Sequence, residues 1–146
     1  MKQSEVSVND DICSSPKEQI HHMSYQKVLK FKTARTAQDL MNITIRVLMH
    51  SPKKFRPNYI SHINQYTIDI FEKVNKANFY KDTDRELAKR CVNEINMDLL
   101  LLQSMLDCLR MNDGLTKDNV TKILEAVAEF TDRFDPWANK FILSCE

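Results

Sequence analysis

The sequence predicts an all-α fold, an antiparallel up-down-up-down four-helix bundle. Three observations carry this expectation. Apolar residues recur at spacings of three and four through four long stretches, the period of a single helix face. One glycine occurs in 146 residues, where average use near ~7% would give about ten. A chain so poor in glycine has few of the tight turns that a sheet-rich fold needs. The stretches are joined by short connections, which make sequential helices antiparallel neighbours. No internal repeat stands out, and a chain of this length is expected to form one domain.

Residues 1–24 are polar and acidic, without periodicity, and are read as a disordered tail. Met23 is a candidate alternative start. The bundle is expected over 25–146. A first helix is predicted at about 36–50, with Thr36 as N-cap and Asp39 three residues on. Ala37, Leu40, Met41, Thr44, Val47 and Leu48 line its inner side. The segment 25–35, with Tyr25, Val28, Leu29 and Phe31, is left open between an extra turn and an extended arm. Pro52 and Pro57 stop the first helix, and Pro57 suits the first turn of the next.

The second helix is predicted at about 58–79, on the row Ile60, Ile63, Thr67, Ile70, Val74 and Ala77. The third covers about 84–111. Thr83 with Glu86 fits a capping box, and Leu87, Cys91, Ile95, Leu99, Leu102, Leu106 and Leu109 form the stripe. Leu100, Leu101 and Met105 make its middle apolar most of the way round, so cover on more than one side is expected. Gly114 is expected to close this helix in a left-handed conformation. Thr116 caps a fourth helix at about 117–135, striped by Val120, Ile123, Leu124, Val127, Phe130 and Phe134. Pro136 is expected to break or kink it, and Trp137, Phe141 and Ile142 continue as a last short turn. Trp137 either anchors a subunit interface or closes the end of the core.

Composition removes most chemistry. One glycine leaves no phosphate-cradling loop. No GxSxG, Cys/His pair or Ser/His/Asp spacing occurs, nor the paired Glu-x-x-His of a di-iron bundle. Glu94 and Asp98 are read as a solvated acidic face, and His50 and His62 as polar surface. Cys13, Cys91, Cys108 and Cys145 share no ligand spacing with each other or with His21 and His22; Cys91 and Cys108 are read as buried thiols. No catalytic residue, metal or cofactor is therefore expected. The first 22 residues lack the apolar core of a secretory leader. No stretch approaches the ~18 apolar residues of a membrane span. A cytoplasmic protein without membrane contact follows as the expectation.

What remains is charge. The net charge is +1, but it is unevenly spread. Residues 25–56 carry Lys27, Lys30, Lys32, Arg35, Arg46, Lys53, Lys54 and Arg56 against the single acid Asp39, whereas 94–146 carries five basic residues against ten acidic ones. A concentrated positive segment suits a phosphate backbone or an acidic partner. Lys53, Lys54 and Arg56 sit between two prolines on one loop. Tyr25, Phe31, Phe55 and Tyr59 are interleaved as candidates for stacking on unpaired bases. The candidate nucleic-acid-binding set is thus Lys53, Lys54, Arg56, Arg46, Arg35, Lys32 and Lys30. A protein-only reading stands beside it, in which the basic and acidic faces pair between subunits.

The stretch from about Ser51 to Trp137 resembles a known family, the four-helix-bundle proteins that include the accessory variability determinant of diversity-generating retroelements. Relatives of that family are encoded in intervening sequences of large-subunit ribosomal RNA genes. The resemblance rests on Pro52-Lys53-Lys54-Phe55-Arg56 at the entry to the second helix and on Ala77-Asn78-Phe79-Tyr80-Lys81 at its end. The leucine-rich run from Ile95 to Leu109 and the fourth helix from Val120 through Phe134 to Trp137 complete it. It implies a non-enzymatic accessory protein, assembled as a homo-oligomer (a pentamer in the retroelement members). Such a protein binds template RNA or an RNA/DNA hybrid and associates with a reverse transcriptase during mutagenic retrotransposition. By the same resemblance Lys53, Lys54 and Arg56 carry the nucleic-acid contact.

Overall fold

The computed structural model describes residues 24–143. The tail expected over 1–24, with Met23, His21, His22 and Cys13, lies outside the described residues except for Ser24, as does Cys145. Five helices follow in order: α1 (Tyr25–Lys30), α2 (Lys32–Leu48), α3 (Ser61–Tyr80), α4 (Arg85–Met111) and α5 (Lys117–Leu143). Between α2 and α3 the chain forms a 3-10 turn at Lys53–Phe55 and a wide π turn at Arg56–Ile60. No strand occurs among the described residues.

The segment left open by the sequence is helical. Ser24 caps α1 by accepting from the Lys27 amide at 3.3 Å. At Phe31 the backbone turns extended (φ −83, ψ 103) before α2 begins. Helix α2 therefore starts four residues ahead of the expected position, and Thr36 is not its cap. The Thr36 hydroxyl instead donates to the Thr33 carbonyl inside the helix, at 2.8 Å. Phe31 is half-buried because its ring meets Trp137, with centroids 5.2 Å apart. Trp137 also contacts Phe134 and Phe141, so it closes this end of the core.

Most side chains at the predicted inward positions are buried; Met41 and Leu87 are half-buried, and Leu124 is exposed because its position on α5 turns away from the core. All six of the α3 row are buried, from Ile60 to Ala77. On α4, Cys91, Ile95, Leu99, Leu102, Leu106 and Leu109 are buried, and on α5 Val120, Ile123, Val127, Phe130 and Phe134. Phe130 and Phe134 stack at 5.2 Å in the middle of α5. Fully burying such a ring contributes about 1.5–3 kcal/mol. Helix α3 packs along α4 and α2, α5 packs along α2 and α4, and α1 lies on α2. Individual contacts fix the ends. The Thr33 hydroxyl meets the Arg133 carbonyl at 3.4 Å, and an Arg85 guanidinium N–H meets the Phe141 carbonyl at 3.3 Å.

Besides the start of α2, the helix ends differ from expectation at three places. Asp84, not Thr83, caps α4, its carboxylate accepting from the Leu87 amide at 3.2 Å. At the other end of α4 the left-handed residue is Asp113 (φ 61), and no glycine has positive φ. The Gly114 amide donates to the Leu109 carbonyl at 2.7 Å and the Asp113 amide to Arg110 at 3.1 Å. These are the two bonds of a Schellman cap. Glycine is required at 114 for space, since a Cβ there would collide with the Leu109 side chain. Thr116 caps α5 as predicted, accepting from the Asn119 amide at 3.1 Å. Finally, α5 runs through Pro136 to Leu143 without a break. The aromatic cluster around Trp137 holds that last stretch on the core and offsets the amide lost at proline.

Among the described residues, an ion pair between α3 and α4 is largely buried. Lys73 on α3 donates to Asp98 on α4 at 2.9 Å, with side chains 21% and 10% exposed, and Glu94 lies 3.5 Å from the same ammonium. Asp98 is therefore not part of a solvated acidic face. Burial pushes its carboxyl above the ordinary value; the Lys73 hydrogen bond and charge oppose this, and Asp69 and Glu94 add to it. Burial acts to lower the pKa of Lys73, but the bond to Asp98 and the surrounding carboxylates outweigh it, and the pKa is raised. The same asymmetry follows from placement: Asp98 is the deeper partner and has two other acids around it.

Two outcomes are expected in urea unfolding. Lys73→Met strands the Asp98 charge and costs about 3 kcal/mol, and adding Asp98→Leu returns most of it. In the single variant Asp98 is pushed further up, so the folded state holds its proton more tightly than the unfolded chain. Stability then rises as pH falls from neutral through the carboxyl range; the same stability at pH 5 and pH 7 would show that Asp98 is solvated. At the α4 end, Gly114→Ala lowers stability by about 1–3 kcal/mol through overpacking. Asp113→Gly is neutral or stabilising, because it relieves a left-handed non-glycine residue.

Candidate nucleic-acid interface

The connection between α2 and α3 is a fixed corner. Pro52 is extended (φ −57, ψ 144), and the Phe55 amide closes the 3-10 turn on its carbonyl at 3.1 Å. Phe55 is buried and meets Tyr59 edge-on, with centroids 5.8 Å apart. Pro57 occupies the first turn of the π segment, where no amide is missed. Ser51 is buried, and its hydroxyl donates to the Gly114 carbonyl at 2.7 Å. That bond joins the corner to the α4–α5 turn, 63 residues away in sequence.

Lys53, Lys54 and Arg56 are all exposed on this corner. None forms an ion pair with an acid among the described residues. Lys54 lies over the Phe55 ring, its Nζ 5.2 Å from the centroid. The three charges thus project from a backbone held by Phe55 on one side and Ser51 on the other, and the acid Asp113 lines the cleft beside Pro52.

The other four residues of the set are not gathered there. Lys30 and Lys32 flank the α1–α2 junction, and Arg35 is one turn into α2; all are exposed. Helix α2 has 17 residues, a rise of about 25 Å, so these charges lie at the opposite end from the corner. Arg46 sits near the C-terminal end of α2, in a groove shared with Glu125 and Glu129 of α5. Glu129 and Asp132 line the adjoining groove with Thr36 and Arg133. The acidic row of α5 therefore runs directly beside the basic side of α2, on the same molecule, and weakens the field there.

The expected stacking aromatics are mostly committed elsewhere. Phe55 is buried, Phe31 packs on Trp137, and Tyr59 is half-buried against Phe55. Tyr25 alone of the four is exposed, and its hydroxyl accepts from Gln38 at 3.4 Å. The corner accordingly presents cations to solvent and few free aromatic faces. Two basic side chains outside 25–56, Arg110 and Lys117, lie close to it. His50, Arg110 and Lys117 line a cleft between Pro52 and the α4–α5 turn. Arg110 is paired with Asp107 at 2.9 Å. Lys117 and Arg110 fall in the acidic third of the sequence, so only the Ser51–Gly114 contact reveals that they adjoin the corner.

No group of three or more His, Cys, Asp or Glu residues suited to a metal ion occurs among the described residues. No described helix is long and apolar enough to cross a membrane. Cys91 is buried, and burial raises its thiol pKa; Cys108, expected to be buried, is exposed. Comparison with protein families, with curated proteins and with solved structures finds no match to this chain.

The arrangement predicts a position-dependent response to charge reversal. Lys117→Glu should lower the salt needed to elute the protein from heparin, although the residue lies 61 positions beyond Arg56. Lys32→Glu, about 25 Å from the corner, should change elution much less. Equal effects of the two would mean that net charge matters and the corner does not.

Proposed function

We propose that this chain is a non-enzymatic accessory nucleic-acid-binding protein that self-associates and works with a reverse transcriptase. The partner, the template RNA or RNA/DNA hybrid, the mutagenic retrotransposition setting and a cytoplasmic location rest on the family resemblance. The binding role rests on the exposed, unpaired Lys53, Lys54 and Arg56 of a corner held rigid from below. Rigid placement matters because little side-chain and backbone freedom is lost when phosphates dock. The four long helices are read as an antiparallel up-down-up-down bundle. The end contacts Thr33–Arg133, Ser51–Gly114 and Arg85–Phe141 support that reading.

The mechanism is electrostatic. Lysine and arginine neutralise phosphates and release counterions, holding a template beside the polymerase without reading its sequence. With a net charge of +1 and acids beside α2, one corner per subunit gives non-specific affinity in the ~10⁻⁴–10⁻⁶ M range at physiological salt. Repetition of the corner in a homo-oligomer, a pentamer by the resemblance, raises this by avidity. In this reading Arg35 and Arg46 serve assembly more than contact. A second reading is a protein-protein assembly module without nucleic-acid binding. The adjacency of Arg46 to Glu125 and Glu129 favours it, because such mixed grooves suit charge pairing between subunits.

The deciding measurement is fluorescence anisotropy with labelled single-stranded RNA across a salt series. Lys53→Glu with Lys54→Glu should weaken binding at least tenfold. It should also flatten the slope of log K against log salt by about 1.4, two contacts at ~0.7 each. Helical circular dichroism should not change. Undiminished RNA binding by this double variant would remove the corner from the function, and absence of binding by the unaltered chain would favour the assembly module.

A further inference from the structure

The outward side of α4 is apolar where solvent exposure predicts charge. Met97, Leu101, Ser104, Cys108 and Met111 follow one another at spacings of four, three, four and three, with Leu100 beside them. That is the spacing of a coiled-coil seam. The row lies on the far side of α4 from Ile95, Leu102 and Leu109. Met97 is 54% exposed, Leu100 57%, Leu101 37% and Met111 67%, and Cys108 is exposed. At ~1.5 Å per residue the row is about 20 Å long. Scattered exposed hydrophobics need no explanation, but a continuous row at seam spacing does.

We propose that this row is an interface with a second copy of this chain, formed by two α4 helices packed antiparallel. The charges at its two ends select the occupant. Towards the N-terminus the row runs into Arg90, exposed and without an ion-pair partner among the described residues. At the C-terminal end stands Asp113, exposed in the turn after Met111. An antiparallel pair brings Arg90 of each copy to Asp113 and the terminal carbonyls of the other α4, two favourable contacts from one sequence. A parallel pair sets Arg90 against Arg90. In the antiparallel register Met97 of one copy meets Cys108 of the other, and Leu101 meets Ser104, whose small side chain lets the backbones approach. Four of the five row positions thus pair among themselves, and Met111 falls opposite Glu94 at the edge of the contact. This interface rests on the self-association part of the proposed function and not on the nucleic-acid part; being isologous it closes a dimer, not the pentamer that the resemblance implies.

The test uses the full chain without nucleic acid, in a Cys13→Ser, Cys145→Ser background. Sedimentation equilibrium at micromolar concentration should show self-association. Leu100→Glu should raise its dissociation constant at least tenfold, as a charge placed in an apolar contact does, with helix content unchanged. Met97→Cys in the same background should give a covalent dimer on mild oxidation, lost when Cys108→Ser is added. Positions 97 and 108 of one chain are about 16 Å apart along the helix, beyond disulfide reach, so the bridge must join two copies. A monomer at all concentrations overturns the proposal. A cross-link that survives Cys108→Ser overturns it too, because it reports a parallel pairing. An assembly indifferent to Leu100→Glu removes this interface but leaves self-association, and the corner's role, standing.

Discussion

The hydrogen bond from the Ser51 hydroxyl to the Gly114 carbonyl ties together the two connections at one end of the molecule. Its strength is ordinary, about 1 kcal/mol net, but its position is not. On one side it holds the corner that carries Lys53, Lys54 and Arg56. On the other it holds the turn that ends α4 and starts α5. The carbonyl it uses belongs to the one residue whose Cβ would not fit, against Leu109. The glycine is therefore tied to the basic corner through space, and the cap of α4 helps to place the charges that follow α2.

The helices and their inner faces were legible in the sequence because a periodic row of apolar residues has only one economical burial. Ile60 to Ala77 on α3 is the clearest instance. The ends were less legible. Thr83 and Asp84 are both good caps, and only the backbone path decides between them. Gly114 and Asp113 likewise compete for the left-handed position. The glycine loses it because the Schellman geometry needs its missing side chain one residue later. Pro136 reads on local grounds as a break or a kink, and the Trp137 cluster, a tertiary effect, keeps the helix from breaking there.

The site was legible in part. Counting charges over 25–56 grouped the corner with residues at the far end of α2, because sequence distance along a helix becomes real distance. It also missed Lys117, whose neighbourhood exists only once the chain has returned. The aromatics interleaved with the basic residues looked available for stacking, yet Phe31 and Phe55 are what pin the segment to the core. On α4 the apolar middle suggested cover on several sides, and among the described residues Leu100 stays more than half exposed.

The contacts between α2 and α5 have a consequence for the order of folding. Thr33 and Arg133 meet across 100 residues, whereas α3 and α4 are joined by a turn of a few residues and held by Lys73 and Asp98, 25 apart. Loop-closure entropy favours the near pair first. The α3–α4 hairpin is then the natural nucleus, and the α2–α5 seam closes late. Ser51–Gly114 belongs to the late group. The basic corner therefore reaches its final shape only when nearly the whole chain is in place, and partly folded chains present its lysines without the backbone that holds them together.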